Sequence, residues 1–192
     1  MIYYHQKTIA LRAMQKGKGG KAMFQKGDYI VYGSYGLCEV REVGKSPVDP
    51  SDSRVYYALH PVYSPEGSMI FTPVDNQSAV CRHPISREEA DLLLENAPHI
   101  PALTVEREKL RRDVYRAALQ TAEPEKLVAL LRTVLERRRD MGRLGRRLTD
   151  ADTDYEKKAR DNLVGELSLV LSMSEKDTCR MVETVMGAEG LY

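Results

Sequence analysis

The chain has 192 residues, enough for one large or two small domains. Charged residues make up 30% and hydrophobic residues 42%, an ordinary soluble composition, and the net charge of +1 is uninformative except in its distribution. Three scattered cysteines (Cys38, Cys81, Cys179) exclude a paired disulfide framework, and with no apolar run near the length of a membrane span they point to a reducing, cytoplasmic setting.

Residues 1–22 carry Lys7, Arg12, Lys16, Lys18 and Lys21 and no acid. They lack the continuous apolar core of a secretory signal and the apolar content to fold, so they read as a flexible basic tail. Codons for Lys-Gly-Gly can spell a purine-rich ribosome-binding sequence. Met23 follows Lys18–Lys21 at a suitable distance, so the expected true start is Met23.

Residues 23–83 read as a small β barrel. Short runs rich in β-branched and aromatic residues alternate with turn formers. The predicted strands are Tyr29–Tyr32, Leu37–Val43, Val55–Leu59, Ser68–Thr72 and a short Ala79–Arg82. Within the second, Cys38 and Val40 share one face and Glu39 and Arg41 the other. Five short strands in about 60 residues suit an SH3-like (Tudor-like) barrel better than a sandwich.

The pattern then turns helical. Ser86-Arg87-Glu88-Glu89 is a capping box, followed by Ala90, Leu93 and Leu94 at helical spacing. Pro98 and Pro101 break the pattern, so residues 84–103 read as a junction helix and linker. A second helix is predicted from Thr104 to about Thr121. Pro124 opens a third, with Leu127, Leu130, Leu131, Val134 and Leu135 on its apolar face. Thr149–Asp152 caps a long fourth helix to about Ser172, and Ser174 caps the last, which ends at Gly187. The fold class is α+β, an N-terminal barrel followed by an all-α helical bundle over 104–187.

No convergent set of reactive side chains emerges, so the chain does not read as an enzyme. His5, His60, His83 and His99 have no metal-ligand spacing, and no glycine-rich phosphate loop precedes a helix, so no metal or cofactor is expected. The basic clusters say more. The second helix carries Arg107, Lys109, Arg111, Arg112 and Arg116. Between Arg132 and Arg147 stand seven arginines, including Arg137, Arg138, Arg139, Arg143, Arg146 and Arg147. A helix C-terminus favours cations through its dipole, which accounts for three or four of them. The remainder, arginine rather than lysine, suits phosphate contacts with DNA. In the barrel, Ser68–Thr72 is a candidate edge strand able to pair with or dock another protein.

Several stretches together resemble the CarD family. They are Phe24–Tyr32 with Tyr35-Gly36 and Val40; Tyr56-Tyr57, Leu59, Pro61 and Tyr63; and Pro73–Asn76. Further on come Arg82, Pro84–Ser86 and Glu88–Ala90, and then Thr149-Asp150, Tyr155, Ala159 and Leu163–Leu167. The family shares its barrel with the polymerase-interacting domain of the transcription-repair coupling factor. The resemblance implies a bacterial transcription regulator whose barrel binds the RNA polymerase β subunit and whose helical domain contacts promoter DNA and stabilises the open complex. Carried onto this chain, it places Arg41, Met69, Ile70 and Phe71 at the polymerase and the second-helix cations at DNA. The 137–147 arginines are added from charge alone. Well-known members set a tryptophan wedge against the opened duplex. This chain has no tryptophan, and Tyr115 is the aromatic nearest the corresponding region, Val105–Leu110. The expected protein is a monomeric regulator tethered to polymerase, with no membrane or small-molecule partner. The alternative is an adaptor that binds polymerase or another protein without touching DNA.

Overall fold

The computed structural model describes residues 24–188 apart from Val48 and Pro50, so the basic segment 1–22 and the start at Met23 lie outside the described residues. The fold is α+β. The strands β1 (Tyr29–Tyr32), β2 (Leu37–Lys45), β3 (Val55–Pro61), β4 (Ile70–Pro73) and β5 (Cys81–Arg82) come first. The helices α1 (Arg87–Asn96), α2 (Arg111–Thr121), α3 (Pro124–Arg143), α4 (Asp150–Leu171) and α5 (Glu175–Met186) follow.

The strands form one antiparallel sheet in the order β4-β3-β2-β1-β5. Alternation sets its inner face: Ile30, Tyr32, Cys38, Val40, Tyr57 and Leu59 pack with Phe24 into one cluster. Ile30, Cys38, Val40 and Leu59 are fully buried, and burying an aliphatic side chain of this size contributes roughly 1.5–3 kcal/mol. Burial pushes the Cys38 thiol up to about 12, so it sits in this core as a neutral, small apolar group.

The sheet is not closed into a barrel, which corrects the expected SH3-like closure. It curls far enough for Tyr32 on β1 to donate its hydroxyl proton to Thr72 Oγ1 on β4 at 2.9 Å. Asn76 Nδ2 bonds the same two oxygens, at 3.3 and 3.0 Å. Side chains bridge the gap where a backbone ladder would be needed. The segment after Pro73 turns instead of extending, with Asn76 N donating to Pro73 O and Ser78 N to Asn76 Oδ1. Of the predicted fifth strand, Ala79–Arg82, only the second half forms: β5 keeps Cys81 and Arg82, which pair with β1. The fourth strand starts later than predicted because Ser68 belongs to a turn, its amide bonded to Pro65 O.

The helices end where their caps dictate. Ser86 and Thr149 both make capping boxes, and Gly187 closes α5 in the left-handed region at φ 64°. The helical core joins Ala90 and Leu93 of α1, Tyr115 and Leu119 of α2, the α3 stripe from Leu127 to Leu135, and Ala159, Leu163 and Leu167 of α4. One start differs from expectation. Thr104–Arg107 is not helical, Arg107 itself is extended (φ −137°), and a short 3-10 turn at Glu108–Leu110 leads into α2. Leu103 N donates to Thr133 Oγ1 of α3 at 2.7 Å, which pins the incoming chain to its neighbour rather than to its own helix. No described helix is long and apolar enough to cross a membrane.

Candidate functional site

Two surfaces hold the sequence-predicted site residues. The first is the outward face of the sheet at the β4 edge. Ladder pairing sets Leu59 opposite Ile70, Ala58 opposite Phe71 and Tyr57 opposite Thr72. Ile70 and Thr72 turn toward the inner core, while Phe71 faces out and is 42% exposed, with Met69 beside it at 38%. Phe71, Ala58, Tyr56, Glu42 and Gly44 line a shallow depression on that face. Arg41 is the extra residue of a β-bulge, where the β2–β3 register shifts between Val40 and Glu42. Its side chain is half exposed and meets Glu39 at 3.2 Å on the outward face, two strands in from β4. Of the four residues predicted for the polymerase, Arg41 and Phe71 share this outward surface, Met69 is exposed just before β4, and Ile70 supports the strand from inside.

The second surface is the end of the helical part where the start of α2, the end of α3 and the start of α4 meet. A buried ion cluster draws them together. Asp152 of α4 is fully buried, and Arg111 Nε of α2 lies 2.8 Å from its Oδ1. Arg137 Nε of α3 donates to Asp152 Oδ2 at 3.2 Å. Both arginines also pair with Glu108, Arg137 Nη2 at 2.7 Å. One turn along α4, the buried Glu156 takes Arg138. Burial alone would raise the Asp152 carboxyl. The Thr149 hydroxyl and amide hydrogen bonds, with Arg111 and Arg137 beside it, bring it net below the usual carboxylate range.

This arrangement divides the predicted DNA residues. Arg111, Arg137 and Arg138 are engaged with buried carboxylates. Arg139 is exposed and donates to Gly187 O at 3.0 Å. Arg107, Lys109, Arg112, Arg116, Arg143, Arg146 and Arg147 are exposed and flank the cluster on both sides in sequence. Two of these make surface pairs, Arg116 with Asp113 at 3.2 Å and Arg143 with Asp140 at 3.3 Å. Such exposed pairs contribute about 0–1 kcal/mol and give way easily to a better partner. Tyr115 is 1% exposed in the helical core, packed edge-to-face on Tyr155.

Sequence reasoning reads Asp152 only as a helix-start residue and assigns Glu156 nothing. The signal lies in spacing. Asp152, Glu156, Ala159, Leu163 and Leu167 fall on one stripe of α4, so two acids occupy the apolar face. Acids there require buried cationic partners, and that accounts for arginines which charge counting assigns to DNA.

A curled sheet with an outward apolar edge is the build of a protein-interaction module, and among the described residues no cluster of His, Cys, Asp and Glu could hold a metal ion. Residues 24–85 match the family model of the CarD-like/TRCF RID domain, so this part of the chain is similar to the CarD-like RNA-polymerase-interacting domains, a family of protein-interaction domains. The match ends at Ile85, before α1. A comparison with the curated proteins gives no match.

Proposed function

We propose that the chain is a bacterial transcription regulator. Its sheet module binds the β subunit of RNA polymerase along β4, and the exposed cations at the α2–α3 end contact promoter DNA and modulate open-complex stability. It acts as a cytoplasmic monomer held at the nucleoid through polymerase. The observation that supports the polymerase contact is exposed Phe71 on the edge strand of the matched domain, with exposed Met69 just before it. An edge strand offers backbone groups and an apolar face together, the combination used in strand addition. Tethering raises the local concentration of the second surface, so modest DNA affinity suffices.

Phe71→Glu tests the polymerase contact. Pull-down of purified RNA polymerase falls by about 30-fold, as expected of a central apolar anchor, while circular dichroism stays unchanged. Undiminished pull-down removes Phe71 from the interface. For DNA, about three phosphate contacts give a slope near −3 in log K against log salt. Binding that is insensitive to salt, or missing even on the polymerase–promoter complex, rejects the DNA half.

One observation favours the second reading, an adaptor that leaves DNA alone: Arg111, Arg137 and Arg138 are already paired inside the protein. Charge reversal of Arg143, Arg146 and Arg147 together separates the two readings. Footprints on a polymerase–promoter complex change only under the first.

A further inference from the structure

The sheet module and the helices meet along a narrow seam. Its apolar part is small, with Val31, Leu37 and Ala122 buried and Tyr29 and Leu169 beside them. Three buried apolar residues give attraction without much direction, since apolar contact is non-directional.

Most of the directional contacts involve one ion pair. Arg82 of β5 grips Glu166 of α4 with both terminal nitrogens, at 2.5 and 2.8 Å. Glu166 is 1% exposed and also accepts Ile85 N at 2.9 Å, just before α1. Arg82 donates further to Ala122 O, the C-cap carbonyl of α2, from Nε at 3.0 Å and Nη2 at 2.5 Å. A single guanidinium thus ties a strand to two helices, and its carboxylate partner ties in a third. Close steric fits flank the pair. A methyl at Gly165 would lie 2.6 Å from the Tyr63 ring, and one at Gly36 would lie 2.3 Å from Asn162 Oδ1. Asn162 Nδ2 reaches Ser34 O at 3.2 Å.

The geometry points to Arg82 and Glu166 as an orientation lock: the pair, more than the apolar seam, fixes the angle at which the sheet module is carried on the helices. The planar fork of arginine suits this role, because two parallel bonds to a carboxylate define a direction as well as a distance. A fixed angle means that the β4 edge and the cationic helix end are presented at a set separation, whatever partners they bind. Arg82 and Glu166 are positioning residues, and their role is distinct from stability. A buried ion pair replaced on both sides by apolar residues often loses no stability.

That difference supplies the test. Spin labels go on Glu66→Cys and Asp154→Cys, in a full-length chain with Cys81→Ser and Cys179→Ser, and double electron–electron resonance reads the distance between sheet and helices. The parent gives one narrow distribution. Glu166→Gln broadens it and loses the single maximum. The paired variant Arg82→Leu/Glu166→Leu regains the parent's urea midpoint yet stays broad. A narrow, parent-like distribution in that variant overturns the proposal and assigns orientation to the apolar seam and its glycines. Should the leucine pair fail to fold, Arg82→Lys gives the same reading, since it keeps the charge and loses the fork. A distribution as narrow as the parent's with lysine at 82 likewise overturns the lock.

Discussion

The β4 edge and the cationic helix end are both exposed, but their side chains are committed differently. On β4 the division is made by strand alternation: Ile70 and Thr72 serve the core, and Phe71 is left for solvent or a partner, with Met69 exposed just before the strand. On the helix end no such alternation exists. Arg137 and Arg138 are neighbours of Arg139 in sequence, yet the first two are held by Asp152 and Glu156 while Arg139 is exposed. A charged surface therefore contains two populations. Some arginines hold the surface together, and others are available on it.

The largest expected effect breaks the first population. Asp152→Asn leaves Arg111 and Arg137 without the buried carboxylate they share, with only the exposed Glu108 remaining, and loss of one partner of a buried pair costs about 3–5 kcal/mol. Urea denaturation checks this, and a loss below about 1 kcal/mol would mean that these arginines are not held as described. The pH dependence has a defined sign. The folded Asp152 carboxyl sits below its unfolded value, so its contribution is complete above about pH 4 and is lost as pH falls through the folded value. The stability gap between wild type and Asp152→Asn is therefore wide at pH 7 and narrows on acidification. A gap that is constant with pH would show that the charge is not what matters.

A middle-sized effect sharpens the comparison. Arg143→Glu/Arg146→Glu/Arg147→Glu weakens DNA association and alters its salt slope, with stability unchanged. Arg137→Glu/Arg138→Glu lowers the urea midpoint first. Equal loss of stability in both sets would erase the distinction between the two populations. The smallest effect is that of Arg146→Ala, which reduces the magnitude of the salt slope by about 0.9 and shifts stability by no more than about 0.5 kcal/mol.

Much of the fold is legible in local chemistry. Period-two alternation placed Cys38 and Val40 inside and Glu39 and Arg41 outside, and the Ser86 and Thr149 caps marked two helix starts. Sheet closure was not legible, because it depends on whether the 74–80 segment extends or turns against Tyr32 and Thr72, which are 40 residues apart. The start of α2 was missed for a similar reason, a bond from Leu103 to Thr133 that lies 30 residues away. The roles of Arg111, Arg137 and Arg138 likewise depend on acids that become neighbours only after folding. Helical periodicity held the clue in the acids along the inner stripe of α4.

The span between Arg82 and Glu166 has a consequence in time. The two residues are 84 positions apart, so at about 5–20 residues per second α4 leaves the ribosome roughly 4–17 seconds after β5. The sheet has its strands before the helices that cover Val31 and Leu37 exist. For those seconds the nascent chain carries an uncovered apolar strip beside an unpartnered Arg82. This is the interval in which a chaperone or a neighbouring nascent chain has access to that strip.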